Sequence, residues 1–529
     1  MNRKTWTTNP LLIGTLLLAL GVPCILFADD TKADDKDKKD APCVPKPLHA
    51  NEGQHDMSPA ARLLPDPPGA ELFKADPCYT QPYNAEAELD VYRRRNMIDR
   101  PRPPVELGIR LYDRGAYTPR PTWFGVKDPM MPAFMMYGDL RLAGAYNDNG
   151  VPIAPSGKTD QSRVAARLNL DMDIQLTPTE RIHAFTKPLD RNGSFTRYEV
   201  DGAVKDKAVD NFDFNIDTLF FEGDVGAMLQ GWTGKNNRID LPIALGRVPI
   251  VTQNGVWIED AIDGGAFSIT AKNSPKLDIS NMDFTFFAGL DNVTTAAEPG
   301  DKARVFGMAG FADLLRGYLE YGYGYLDADV SGHSYHNVTA AFSKRYRGRV
   351  ANSVRVIANF GQEGVGGVKT ADGVLLLVEN SLVPRRHFGF DVSTFNPLNF
   401  VPYFNLFAGF KSPQSLARGA DSGGVLRNTG LAFESDGVTG YPTLDATAHE
   451  AYGGALGVEY LFGLDRQIVV EAATVQHRGD SLLGSEHSLS ARYQRPFTKV
   501  WIVRLDAMKG WRQGRNDILG LRLELRRKF

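Results

Sequence analysis

Between Val105 and Phe529, apolar residues recur at every second position in one run after another. The clearest run is Arg163 to Leu176. Val164, Ala166, Leu168, Leu170, Met172, Ile174 and Leu176 share one parity, and Arg163, Arg167, Asn169, Asp171, Asp173 and Gln175 share the other. A period of two sends successive side chains to opposite faces of a strand. This run exceeds the usual soluble strand of about 5–6 residues and suits a tilted membrane strand of about 9–11 residues with an overhang. Comparable runs set Met282, Phe284 and Phe286 against Asp283 and Thr285, and Leu319, Tyr321, Tyr323 and Tyr325 against Glu320, Gly322 and Gly324. Others set Val338, Ala340 and Phe342 against Asn337, Thr339, Arg345 and Arg347, and Val354, Val356 and Ala358 against Arg355. Leu456, Val458 and Tyr460 oppose Glu459; Trp501, Val503 and Leu505 oppose Arg504 and Asp506; Leu519, Leu521, Leu523 and Leu525 oppose Arg522, Glu524 and Arg526.

The pattern predicts about 18 antiparallel strands, give or take about two, closed into an all-β transmembrane barrel over 105–529. Short gaps at 177–180, 347–350 and 463–466 alternate with long ones at 145–162, 291–302, 411–450 and 478–487, as turns and loops at opposite ends of a barrel should. The Gly- and Ser-rich 411–450 segment is expected to be a lid or an inward-folded constriction. Tyr146, Phe360, Phe462, Tyr493, Trp501 and Phe529 stand at run ends, where an interfacial girdle would lie. The last strand ends on Phe529 and resembles the closing strand of bacterial outer-membrane barrels, in which a terminal Phe belongs to the insertion signal.

The N-terminus agrees. Arg3 and Lys4 precede the apolar stretch Leu11–Phe27, and Ala28 offers a cleavage site, so 1–28 reads as a secretory signal peptide. Residues 29–104 open with an Asp/Lys tract and continue rich in proline. They read as a mostly irregular periplasmic extension, either a plug or a link to a periplasmic partner. Beyond the signal no segment is apolar for 18 residues, which excludes a helical span. The formal net charge is −3, and 52 Gly with 48 Tyr plus Phe suit a barrel whose strands half face water. Cys43 and Cys78 remain after cleavage and are candidates for one disulfide or for two free thiols.

Tyr137-Gly-Asp-Leu-Arg-Leu, Leu245-Gly-Arg-Val-Pro and the following Gly255-Val-Trp-Ile-Glu-Asp-Ala-Ile-Asp-Gly resemble the alginate-export and porin-like outer-membrane proteins. The resemblance implies a strand, a loop holding Trp and Asp, then a strand, with Arg247 in an interior role. Val-Pro stands where that family carries Gln. Parity alone would send Arg247 outward with Ile243 and Leu245.

An 18-stranded barrel encloses water, so function falls to its lining. The inward parity collects Arg163, Arg167, Asp171, Asp173, Glu320, Arg345, Arg347, Arg355, Arg492, Arg504, Asp506, Arg522 and Glu524, with Arg247 added by resemblance. Arginines bind carboxylates bidentately, so an unpaired ladder would favour anionic solutes; alternatively, acids and bases on neighbouring strands satisfy each other. The expected function is an outer-membrane porin passing small hydrophilic, even anionic, solutes. Export of an anionic polysaccharide, a non-conducting scaffold and a secreted all-β carbohydrate-active protein are the alternatives. No GxSxG or HExxH motif occurs, and His333 and His336 sit in an expected loop, so no enzyme activity, cofactor, metal or nucleic-acid partner is expected.

Overall fold

The computed structural model describes residues 103–529 apart from 109–119, 128–131, 154–155, 192–193, 201–205, 295–301, 383–398, 420–422, 437, 462–465 and 480–482. The expected signal peptide, nearly all of the extension, Cys43, Cys78 and Phe462 lie outside the described residues.

Eighteen antiparallel strands form one closed wall. They are β1 (Ala133–Ile153), β2 (Lys158–Gln175), β3 (Arg181–Thr186), β4 (Ile216–Asp224), β5 (Pro242–Thr252), β6 (Ile258–Ser274), β7 (Ile279–Asp291), β8 (Ala303–Leu314) and β9 (Gly317–Ala328). The remainder are β10 (Tyr335–Tyr346), β11 (Val350–Phe360), β12 (Asp372–Leu382), β13 (Phe400–Ser412), β14 (Ala451–Leu461), β15 (Gln467–His477), β16 (Glu486–Pro496), β17 (Trp501–Arg512) and β18 (Ile518–Lys528). Each strand pairs with its chain neighbours, and β18 returns to β1 from Leu519↔Asp148 to Lys528↔Asp139. Phe529 N donates to Gly138 O at 3.0 Å and Gly138 N donates to Phe529 O at 2.9 Å, which seals the seam. Closure gives each of the eighteen strands a partner on both sides, the condition for a sheet in hydrocarbon.

The register fixes both faces. Leu456, Leu505, Leu521, Val164, Val354, Val356 and Phe404 stand exposed on the outside, with no second protein layer over them among the described residues. Tyr323, Tyr325 and Phe360 ring the outer face near one rim, with His336 stacked among them. The secreted two-layer alternative, which needs both parities covered, fails on this bare belt. Its parities are those the sequence predicts.

Three expectations shift. The 145–162 segment is a tall hairpin, not a long loop: β1 and β2 pair from Tyr146↔Ser162 to Asp148↔Asp160 and again at Ile153↔Lys158. Polar residues such as Asn147 and Gln161 in these strands hid the alternation. His336 lies within β10 instead of a loop. Arg347 occupies the turn after β10 with φ of 50°, beyond the wall.

Leu456 sits mid-strand on the outer face at 65% exposure. Leu456→Arg should lower unfolding free energy in lipid vesicles by about 2–4 kcal/mol, the cost of a cation near the bilayer midplane. A neutral result in a urea titration would contradict the outward assignment.

Candidate functional site

The lumen holds a folded insertion. Residues 413–450 leave β13 and return at β14. Glu450 N donates to Lys411 O at 2.8 Å, and Lys411 N donates to Glu450 Oε1 at 2.6 Å. Lys411, Ala448 and Glu450 take left-handed φ values of 55°, 59° and 40°, which turns the chain in from the rim.

The first stretch crosses to β6. Leu416 N donates to Trp257 O at 2.7 Å, Ala417 pairs in parallel with Ile258, and Ser415 Oγ donates to Val256 O at 2.7 Å. Tyr335 OH donates to Ser415 O, and Asn337 Nδ2 to Gln414 O. Trp257, from the short β5–β6 connection, is 1% exposed and donates its indole N–H to Asn337 Oδ1 at 2.9 Å. The inward glycines of β9 make this possible. A Cβ at Gly322 would stand 2.4 Å from the Trp257 ring, and one at Gly324 would stand 2.3 Å from a Leu416 methyl.

The second stretch runs against β13–β15. Phe433 meets Phe407 edge-on at 5.8 Å. Glu471 accepts from Leu431 N and Ala432 N at 2.9 Å each and from Tyr403 OH at 2.7 Å. The loop and the inward apolar residues Ile258, Ile262, Val305, Leu326, Ile357, Leu375, Leu377 and Val475 share one buried core.

The third stretch meets the charged wall of β16–β18, β1 and β2. Arg522 Nη1 donates to Asp436 Oδ2 at 2.8 Å and Arg504 Nη2 to Glu434 Oε1 at 3.0 Å; Arg492 Nη2 lies 2.8 Å from Glu434 Oε2. Asp506 accepts from Arg492 and Arg522 at 2.7 Å and from Arg504 at 2.9 Å. Arg141 binds Glu524 bidentately at 3.0 and 2.7 Å. Thr439 O accepts from Arg163 Nη1 at 3.2 Å and from Asn147 Nδ2 at 2.8 Å. Four arginines thus meet four carboxylates, two of them from the loop. Arg522 is 3% and Asp506 7% exposed, and the cleft left between them, about 10 Å³, is at the lower bound for one water.

The expected lining residues therefore separate. Arg492, Arg504, Asp506 and Arg522 do face inward, but onto the loop, and Glu524 faces inward onto the wall arginines Arg141, Arg522 and Arg526. Arg355 is 2% exposed and pairs with Glu379 at 3.1 Å. Arg167 bonds Asn169 and lies over the Phe195 ring. Asp171 and Asp173 share a partly open patch with Arg181, His183 and Glu222; His183 Nε2 lies 3.2 Å from Glu222 and its ring stacks on Phe220. Glu320 and Arg345 share the inward parity, with Arg345 exposed. Arg247 is a correction to the interior role. Its strand neighbours Val248 and Ile250 point into the core, so it points out and binds Asp263 at 2.7 and 3.0 Å. Glu434 and Asp436 were absent from the expected site because loop residues carry no alternation.

A closed 18-stranded wall with a bare apolar belt and charged interior defines a transmembrane β-barrel of the outer-membrane type. No family model matches the chain, and no curated protein matches it. Among solved structures it is similar to OccK7 (OpdD) of Pseudomonas aeruginosa, at 11% identity and a TM-score of 0.44 over 74% of this chain and 99% of that one. It is similar also to the outer-membrane protein OpdK of the same organism, at 12% identity and a TM-score of 0.46 over 74% and 98%. The alginate-export resemblance finds no support among these proteins.

Removing one partner of a buried ion pair costs about 3–5 kcal/mol. In a Glu434→Gln/Asp436→Asn variant, trypsin should cut after Arg418 and Arg427 in a barrel that still migrates as folded on an unboiled gel. Unchanged protection would contradict the anchoring. Acid should loosen the other end of the loop. Burial holds the His449 pKa below its ordinary 6.5, against the opposing pull of Asp445, and His449 Nε2 lies 3.0 Å from Gln414 Nε2. The neutral ring accepts that amide proton and the charged ring does not. The stabilisation is therefore complete above the unfolded value and lost as pH falls towards the depressed folded one. Trypsin cleavage of the loop should rise between about pH 7 and about pH 5, and His449→Leu should flatten that rise.

Proposed function

We propose that the chain is a passive outer-membrane channel for small hydrophilic solutes, with its cross-section set by the 413–450 loop. The observation that carries this reading is the combination of a bare apolar exterior with a lumen whose β1–β4 side keeps partly exposed polar and charged side chains. Asp139, Arg167, Asn169, Asp171, Asp173, Arg181, His183 and Glu222 line that side. A wall of this size encloses more space than side chains alone fill, and the loop fills part of it.

The loop carboxylates meet the arginine column of β16–β18, so these residues support loop anchoring ahead of solute selection. Preference among solutes then falls to the β1–β4 side, where acids outnumber bases, and an anionic preference has no support of its own. The polysaccharide-export reading needs an open bore for a polymer, and here the loop makes contacts from β9–β11 across to β18 and β1.

Planar-bilayer recordings test the proposal. The protein should give discrete conductance steps without strong anion preference. The Glu434→Gln/Asp436→Asn variant should give larger steps shifted towards anions, because its arginines lose the loop charges that neutralise them. Absence of any current from folded protein would favour the scaffold reading and overturn the channel.

A further inference from the structure

The connection from β4 to β5, at the end of the wall bearing the short turns, carries helix α1 (Val225–Thr233). Its sequence, Val-Gly-Ala-Met-Leu-Gln-Gly-Trp-Thr, contains no charge. Both ends are fixed. Asp224 Oδ1 accepts from Ala227 N at 2.6 Å, Asp224 Oδ2 accepts from Leu241 N at 2.9 Å, and Gly234 closes the helix at φ 66°.

The helix rests on a small hairpin, Arg120–Thr122 with Gly125–Lys127. A Cβ at Gly231 would stand 2.6 Å from Phe124 O, so only glycine allows this approach. The hairpin is tied to the turn between β2 and β3: Lys127 Nζ donates to Glu180 Oε1 at 2.9 Å and to Thr179 Oγ1 at 2.8 Å.

Both elements lie on the lipid side of the wall. Phe124 stacks on Phe221 at 5.5 Å, and the Met228 terminal methyl covers Gly223. Phe221 and Gly223 share the outward parity of Leu219, and Phe221 pairs with the exposed Leu245. From this ledge project Trp123 at 94% exposure and Trp232 at 57%, linked by a bond from Trp232 Nε1 to Trp123 O at 2.9 Å. Val126 and Ile239 are exposed beside them, and Arg120, Lys235 and Arg238 are exposed around them.

Two tryptophans projecting from an uncharged helix and its supporting hairpin would be costly in water and are at home in the headgroup layer. We propose that α1 and the 120–127 hairpin form an interfacial foot lying in the periplasmic leaflet. Trp123 and Trp232 enter the acyl boundary, and Arg120, Lys235 and Arg238 take phospholipid phosphates. The occupant is lipid because, among the described residues, this patch adjoins the outward Phe221, Gly223 and Leu245 of β4 and β5.

The test is fluorescence of the full barrel in phosphatidylethanolamine/phosphatidylglycerol vesicles with brominated acyl chains. Trp501 and Trp511 also face outward, whereas Trp257 is buried. A Trp123→Phe/Trp232→Phe variant should lose about half of the bromolipid-quenchable emission, with little change in iodide-quenchable emission. Its folded gel mobility and channel conductance should match the parent, which separates this proposal from the channel reading. If bromolipid quenching is unchanged and iodide quenching falls, the rings face water and the foot does not exist. If neither quencher loses signal, protein covers the rings and the lipid assignment is likewise overturned.

Discussion

A bilayer offers no hydrogen-bond partner to a peptide group, so a sheet that crosses it must close on itself. Everything else here follows from that closure. Eighteen strands satisfy each other's backbones from β1 round to β18, with Phe529 and Gly138 joining the seam. Closure at that width creates an interior larger than wall side chains can fill, and each strand then has one face in lipid and one in a confined space. The chain deals with that space by folding part of itself inside.

The insertion is held in two different ways on its two sides. Towards β5–β15 it is held by packing: Trp257, Leu416, Leu426, Phe433 and Leu444 join the inward apolar residues of the wall. Towards β16–β2 it is held by ion pairs, with Glu434 and Asp436 set among Arg492, Arg504 and Arg522. Buried pairs of this kind add little over apolar packing but cost much to break, so they favour register over raw stability. An arginine column that reads as a solute ladder thus serves as the clamp for a loop.

Strand parity was legible because it is local. Each of the long alternations, from Val164–Leu176 to Leu519–Leu525, needs only its own residues to show which face is greasy. Beyond the Gly- and Ser-rich composition of 411–450, the lumen filling is not legible by that rule, because an apolar face reads the same whether it meets lipid or a folded loop. Val248 and Ile250 are apolar and point inward, while Arg247 faces outward as its parity with Ile243 and Leu245 predicts; the interior role comes from the resemblance alone. The unbroken run Val374–Val378, where Leu375 and Leu377 are buried inside while Leu376 faces out, is the signature of a strand covered on both faces. Gly322 and Gly324 on an inward parity gave a second hint, being voids waiting for Trp257 and Leu416. The partners of the arginines were beyond reach: Asp436 and Arg522 stand 86 residues apart, and no short-range pattern joins them.

Thiol accessibility along β2 tests the central assignment most directly. With Cys43 and Cys78 replaced by serine, single cysteines at 168 to 173 in lipid-embedded protein meet a charged, membrane-impermeant maleimide. Reaction is expected at 169, 171 and 173 and none at 168, 170 and 172. Uniform labelling, or labelling of the even positions alone, would contradict it.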